Sequence, residues 1–126
     1  MTAWLVDSYA ALWALSDTAS LSSTARATME SGESRLFVSA ASIWEIAVKV
    51  RLGKLRAPAD LPAALEEHAF EILDVTPAHA WAVRELEHTG HRDPFDHLLV
   101  ATARVERLPV ISADRRLDAY GIERHW

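Results

Sequence analysis

The sequence predicts an α/β fold in which helices cover both faces of a central, mostly parallel sheet. Short apolar runs suited to buried strands alternate with longer segments whose hydrophobic residues recur at three- and four-residue spacing. Such alternation is typical of strand–helix–strand units, which build parallel sheets. With 126 residues, half of them hydrophobic, the chain has the size of one compact domain over residues 1–126.

Composition and charge exclude several classes of protein. The formal charge is -5, from 18 acidic and 13 basic residues, so nucleic acid would be contacted locally and not through a broad basic surface. The chain has no cysteine, which excludes disulfides, thiolate zinc sites and cysteine nucleophiles. It shows neither a secretory leader pattern nor an apolar run of membrane-spanning length. We therefore expect a cytoplasmic protein without a membrane contact.

The first half of the chain predicts two strands and three helices. The apolar run at 3–6 is a buried strand, and the segment 9–15 continues it as a helix. Serines precede a short helix at 25–29, and a second buried strand follows at 36–38. The next helix, within 39–53, has apolar residues on one face, Ser39 as its N-cap and a glycine at its end.

The second half continues the alternation. Asp60, followed by a leucine and a proline, predicts a helix start, and residues 71–75 predict a third strand. Thr76 with Pro77 begins a helix that we expect to continue to about Glu87.

The last third supplies one long helix and two more strands. Asp93 with Pro94 begins that helix, the run at 108–112 predicts a fourth strand, and a short helix follows at 115–120. Ile122 begins a possible last strand.

Asp93 and Asp96 lie three residues apart at a predicted helix start. Asp93 precedes a proline that needs no donor at the first helical position, so we interpret Asp93 as a structural N-cap. Asp96 then lies in the first turn, where unpaired amides and the helix dipole favour a carboxylate. Taken alone, Asp96 is explained equally well by this local effect and by a functional role.

Three other acids have similar alternatives. Asp7 follows a buried strand, where an ionised group is costly unless it is paired or bound to a cation, although it can also cap the next helix. Glu45 fits a capping box with Ser42, but the strand end makes Ser39 the better cap and leaves Glu45 inside the helix. Asp114 follows the fourth strand and can cap the short helix after it.

Considered together, the four acids indicate a metal site. In a parallel sheet, the strand ends and the helix starts that follow them meet at one edge, where ligands bind. Carboxylates gathered there repel one another, and a divalent cation relieves the repulsion. Oxygen-only ligands suit Mg²⁺ or Mn²⁺, which can activate water against a phosphodiester.

The chain resembles the PIN-domain ribonucleases, and in particular the VapC-like toxins of toxin–antitoxin pairs. The resemblance rests on LVDSYAALWAL, VSAASIWEIAVKVRLGKL, RDPFDHLLVATA and PVISADRRLDAYG, which span nearly the whole chain in the family's order. It implies a three-layer α/β/α sandwich that binds Mg²⁺ or Mn²⁺ and cleaves RNA. It further implies a cognate antitoxin as partner and a homodimer.

The resemblance also assigns the acids. Asp7 and Asp96 would be the principal metal ligands, while Glu45 and Asp114 would complete the catalytic site or position water. The hydroxyls of Ser8 and Ser112 either join the pocket or bond the local backbone. The chain departs from related toxins at Ser8-Tyr9, where Thr-His is frequent, and at His97, where Arg is frequent. These differences concern substrate handling more than metal binding.

Basic, histidine and tryptophan residues have weaker interpretations. The chain has a basic stretch within residues 49–56, which a solvated helix end and an RNA-backbone contact explain equally well. Two arginines beside Asp114 are better placed to contact a phosphate. These basic residues are Lys49, Arg51, Lys54, Arg56, Arg115 and Arg116. His88 and His91 straddle a helix end and lack a third ligand at recognisable spacing, so we expect no zinc site there. Trp13, Trp44 and Trp81 fit a core or a partner surface better than base stacking.

Two other functions are compatible with alternating strands and helices. A signalling receiver domain also has an acidic magnesium pocket, but it needs a lysine after its last strands, and the only lysines here are Lys49 and Lys54. The alternative that stays open is a catalytically silent PIN-fold module that binds an antitoxin or another partner.

Overall fold

A computed structural model describes residues 1–126. At the centre of the protein lies a five-stranded sheet in which every pair of neighbouring strands is parallel. The strands are β1 (Thr2–Val6), β2 (Ser34–Ser39), β3 (Phe70–Leu73), β4 (Val110–Ile111) and β5 (Arg124–His125). The helices are α1 (Ser8–Ser16), α2 (Ser23–Glu30), α3 (Ala40–Arg51), α4 (Leu61–Glu67), α5 (Pro77–Ala82) and α6 (Pro94–Glu106). The predicted α/β fold with a parallel sheet is confirmed.

Helices flank the sheet on both faces, as the apolar strands predict. Leu5 and Val6 are adjacent in β1 and fully buried, yet they belong to different hydrophobic clusters, because successive strand residues point to opposite faces. The Val6 cluster includes residues of α1 to α4. The Leu5 cluster includes residues of α6 and of the 3₁₀ segment Arg115–Tyr120.

The strand order β3-β2-β1-β4-β5 creates a switch point between β1 and β4. The chain proceeds from β1 outward through β2 to β3, and then crosses to β4 on the other side of β1. At such a point the connections leave a crevice beyond the carboxyl ends of the strands. Asp7 follows β1 and Ser112 follows β4, so both residues lie at this crevice.

Several predicted boundaries were wrong. The helix expected to reach about Glu87 ends at Ala82 and is followed by the 3₁₀ turn Val83–Glu85. Leu86 then adopts an extended conformation and packs against the core, which ends the helical path. The strand predicted over 108–112 is reduced to two residues, and the segment over 115–120 is a 3₁₀ helix.

The remaining differences are small. The third strand begins one residue earlier than predicted and ends at Leu73, and the last begins at Arg124 instead of Ile122.

None of the helices combines the length and the apolar character that crossing a membrane would require.

Ser39 connects β2 to α3 and fixes where α3 begins. The Ala41 amide donates to the buried Ser39 Oγ (3.1 Å), which confirms Ser39 as the N-cap and places Glu45 in the middle of the helix. The predicted alternative, a capping box starting at Ser42, is wrong.

Ser39→Ala should lower the free energy of unfolding by about 1 kcal/mol, because the Ala41 amide loses its acceptor. Urea denaturation monitored by circular dichroism measures the change. Ser22→Ala, which removes the equivalent cap of α2, is the matched control for a cap remote from the cleft and should cost a similar amount. Unchanged stability in Ser39→Ala would contradict the assignment of the α3 cap.

Candidate metal centre

Asp7 lies directly after β1, where the strand gives way to α1. The Ala10 amide donates to Asp7 Oδ1 (2.8 Å), so this side chain caps α1. The Asp7 amide in turn donates to the carbonyl of Ile111 in β4 (3.1 Å). These contacts hold the Asp7 carboxylate at the switch point.

Glu45 is buried in the middle of α3, with 7% of its surface exposed. Ser8 Oγ donates to Glu45 Oε1 (2.5 Å), and Lys49 Nζ donates to Glu45 Oε2 (2.7 Å). Lys49 Nζ also reaches the hydroxyl of Tyr9 (3.2 Å) and lies over the Tyr9 ring. Both oxygens of this buried carboxylate are therefore satisfied, and Ser8 serves Glu45 instead of the local backbone.

Asp93 and Asp96 differ in their surroundings at the start of α6. The Phe95 amide donates to Asp93 Oδ1 (2.9 Å), which confirms the predicted cap. Asp96 lies in the first turn and caps nothing; its Oδ2 is 2.7 Å from His91 Nε2. Helix capping thus explains the position of Asp93. It does not explain Asp96, whose carboxylate contacts His91.

Asp114 caps the 3₁₀ segment after β4 and is paired with an arginine. The Arg116 amide and side chain both donate to its carboxylate, at distances from 2.9 to 3.2 Å. The Asp114 amide donates to Ser112 Oγ (3.0 Å), so Ser112 bonds the local backbone, and its hydroxyl also donates to Asp7.

The four predicted acids line one cleft, and two of them, Asp96 and Asp114, belong to a group of ligand atoms that lie within 4.8 Å of one another. Asp7, Glu45, Asp96 and Asp114 all line it, together with Asp93, Lys49 and Arg116. Its volume of about 170 Å³ has room for an ion that keeps several water molecules. The donor set is oxygen-rich and contains no sulfur, so it fits Mg²⁺ or Mn²⁺.

The cleft shifts the pKa values of its acids in opposite directions. Burial raises the pKa of Asp7 to about 6, and the charges of Asp96 and Glu45 add to that effect, whereas the Ser112 hydroxyl and the Ala10 amide oppose it. Burial also raises the pKa of Asp96, against the hydrogen bond from His91. Hydrogen bonds from Arg116 lower the pKa of Asp114. The two acids predicted to be principal ligands are thus the ones that bear the cost of burial.

His91 contacts the cleft residue Asp96, and sequence reasoning missed this contact. One ligand atom each from His91, Asp96 and Asp114 lie within 4.8 Å of one another. His91 turns to Asp96, whereas His88 is exposed. The spacing of five residues from Asp96 is no known ligand pattern, so the sequence carried no signal for this contact.

The basic residues divide into two groups. Lys49 and Arg116 line the cleft and pair with Glu45 and Asp114. The other four are exposed and do not line it: Arg51, Lys54, Arg56 and Arg115.

The tryptophans also separate. Trp13 packs partly against the core, whereas Trp44 and Trp81 are 60% and 68% exposed. Trp44 meets the cleft residue Phe95 edge-on, with ring centroids 5.0 Å apart. A purely core role is therefore excluded for Trp44 and Trp81.

Comparisons with known proteins agree with the fold and the order of the motifs. The PIN domain family matches residues 4–123. No curated protein matches the sequence. The chain belongs to the PIN domain family, as the resemblance predicted.

Two solved structures are similar in fold. One is the crystal structure of VapBC2 from Rickettsia felis bound to a DNA fragment from their promoter, with a TM-score of 0.73, 13% identity, and coverage of 99% of this chain and 100% of that one. The other is a toxin–antitoxin complex from Klebsiella pneumoniae, with a TM-score of 0.58, 18% identity, and coverage of 88% and 86%. At these identities the likeness establishes the fold.

Asp7→Asn should stabilise the protein at neutral pH in the absence of divalent metal. The folded-state pKa of about 6 lies above the ordinary value of 3.8, so ionised Asp7 opposes folding above pH 6 and ceases to do so as the pH falls toward 4. Asparagine keeps the cap and removes the charge. We expect a gain of about 1–3 kcal/mol in the free energy of unfolding at pH 7.5, shrinking toward zero at pH 4.

Urea denaturation in the presence of a chelator, across this pH range, measures the effect. Asp60→Asn, at an exposed cap of α4, is the matched control and should change little at any pH. A destabilised Asp7→Asn at pH 7.5 would show that the carboxylate is favourable where it lies.

Proposed function

We propose that this protein is a divalent-metal-dependent endoribonuclease that acts as the toxin of a toxin–antitoxin pair. The observation that carries the proposal is the convergence of Asp7, Glu45, Asp96 and Asp114 on one cleft at the switch point of a PIN fold. PIN domains are typically nucleases, and the raised pKa values of Asp7 and Asp96 identify the carboxylates that gain most from a cation.

The formal charges in the cleft are consistent with a divalent ion. Five carboxylates line the cleft with two cationic side chains, Lys49 and Arg116, so three carboxylates have no lysine or arginine partner there. One of the three, Asp93, is the N-cap of α6, and the other two are Asp7 and Asp96. In the proposal these two are the principal ligands of Mg²⁺ or Mn²⁺, and Glu45 and Asp114 complete the site.

The residues of the cleft divide the work of phosphodiester hydrolysis. The bound cation would lower the pKa of a water molecule and stabilise the charge that develops on the phosphate. Glu45, held by Ser8 and Lys49 on α3, would orient that water. Arg116 lines the cleft, and its side chain is 66% exposed to solvent. The exposed part of its guanidinium group would contact an RNA phosphate. Local cations of this kind suit a chain whose net charge is negative.

An antitoxin and a second copy of the chain are the proposed partners. The two structures similar in fold are a VapBC2 crystal structure and a toxin–antitoxin complex. The surface also exposes large apolar side chains that a partner would cover, including Trp44, Val50, Leu52 and Trp81. An unpartnered chain would then be active and toxic, and the partner would restrain it.

Asp96→Asn should abolish RNA cleavage, whereas Asp93→Asn should retain it. Asparagine at 96 removes a charge that we assign to the metal, and asparagine at 93 still accepts the hydrogen bond from the Phe95 amide. We expect a loss of about 10²-fold or more for Asp96→Asn and a change of less than about threefold for Asp93→Asn. Initial rates of cleavage of total RNA in Mg²⁺ or Mn²⁺, with a chelator blank, measure both.

Growth arrest provides the second readout. Induction of the wild-type chain alone should arrest growth, and induction of Asp96→Asn should not. If both variants cleave as the wild type does in excess metal, the acidic cleft is not the nuclease site. If only Asp93→Asn is inactive, the roles of the two acids are reversed.

A further inference from the structure

His91 is held against the acidic cleft by the loop that precedes α6. Its side chain is 9% exposed, and Nε2 lies 2.7 Å from Asp96 Oδ2. Asp114 contributes an oxygen to the same group, all within 4.8 Å. Among the six histidines of the chain, this is the one whose ring nitrogen meets a proposed metal ligand.

The loop fixes the position of the His91 ring. The His91 amide donates to Thr89 Oγ1 (3.2 Å), and the His91 carbonyl accepts from His97 Nε2 (2.6 Å). The ring also lies edge-on to the His97 ring and beside Tyr120, at centroid distances of 6.0 and 6.5 Å. A ring so restrained loses little conformational entropy when it binds a ligand.

The separations within the group suit one small cation. Ligands about 2.1 Å from an octahedral ion are roughly 3.0 Å apart when adjacent and roughly 4.2 Å apart when opposite. The distance of 2.7 Å between His91 Nε2 and Asp96 Oδ2 is close to the separation of adjacent ligands. All three ligand atoms lie within 4.8 Å of one another, slightly more than the separation of opposite ligands. Small side-chain rotations would bring the three atoms onto a common ion.

We propose that His91 is a nitrogen ligand of the metal held by Asp96, with Asp114 completing the site, and that this nitrogen makes the site select Mn²⁺ over Mg²⁺. This inference rests on one part of the proposed function, namely that the cleft binds a divalent metal ion. Imidazole nitrogen favours first-row transition ions, whereas Mg²⁺ prefers oxygen and water. Ligation uses the neutral ring: the proton on Nε2 is exchanged for one on Nδ1, and the Nε2 lone pair binds the ion.

A histidine that only orients Asp96 through a hydrogen bond would behave differently. Its loss would weaken Mg²⁺ and Mn²⁺ binding to a similar extent, because both ions use the Asp96 oxygen. His91→Gln distinguishes the two roles, since the glutamine amide can still donate to Asp96 but lacks the imidazole nitrogen. His88→Ala removes an exposed histidine of the same loop and is the matched control.

The test uses the purified, metal-free full chain. Calorimetric titration measures Mg²⁺ and Mn²⁺ affinities, and pulsed electron paramagnetic resonance of the Mn²⁺ form detects the strong hyperfine coupling of a directly bonded nitrogen. We expect that coupling in the wild type and in His88→Ala, and its loss in His91→Gln. We also expect His91→Gln to weaken Mn²⁺ binding by about tenfold or more and Mg²⁺ binding by less than about threefold.

Wild-type Mn²⁺ without a bonded nitrogen would overturn the proposal, as would an unchanged ratio of the two affinities in His91→Gln. Either result leaves the nuclease proposal intact, provided that Asp96→Asn still weakens the binding of both ions. If the wild type binds neither ion, the metal-dependent function and the ligand role of His91 are both refuted.

Discussion

The burial of mutually repelling carboxylates at the junction of β1 and β4 is the constraint on which the cleft depends. The parallel sheet leaves Asp7 at one strand end, and α6 and the 3₁₀ segment bring Asp96 and Asp114 to the same place. Burial raises the pKa of Asp7 to about 6, and the negative charges of Asp96 and Glu45 add to the cost of ionising it. A fold that retains this cost gains a site where a cation binds strongly, and function is the most direct reason to retain it.

The protein reduces this repulsion unevenly. Lys49 neutralises Glu45 and Arg116 neutralises Asp114, whereas Asp7 and Asp96 have no cationic lysine or arginine against them. The unneutralised pair supports the assignment of principal ligands that the family resemblance implied. The neutralised pair is suited to supporting roles, because a carboxylate engaged by a cation has less negative charge to offer a metal.

Local sequence patterns predicted much of the fold and of the candidate site. The positions of Asp7 and Asp93 could be predicted because a strand end and an Asp-Pro helix start are local features of the sequence. In the structure both side chains cap the helices that follow them. The end of α5 at Ala82 was missed because Leu86 turns into a core made by distant residues. His91 was missed for a similar reason: its contact with Asp96 depends on a loop held by His97 and Thr89, and no periodicity encodes that loop.

Anomalous diffraction from crystals soaked in Mn²⁺ tests the central claim most directly, because it locates the ion without reference to activity. The account predicts one strong anomalous peak in the cleft, with oxygens of Asp7 and Asp96 at about 2.1–2.2 Å. An empty cleft at saturating Mn²⁺, or peaks confined to exposed carboxylates elsewhere, would contradict it. In that case the buried acids would have to be explained by helix capping and ion pairing alone.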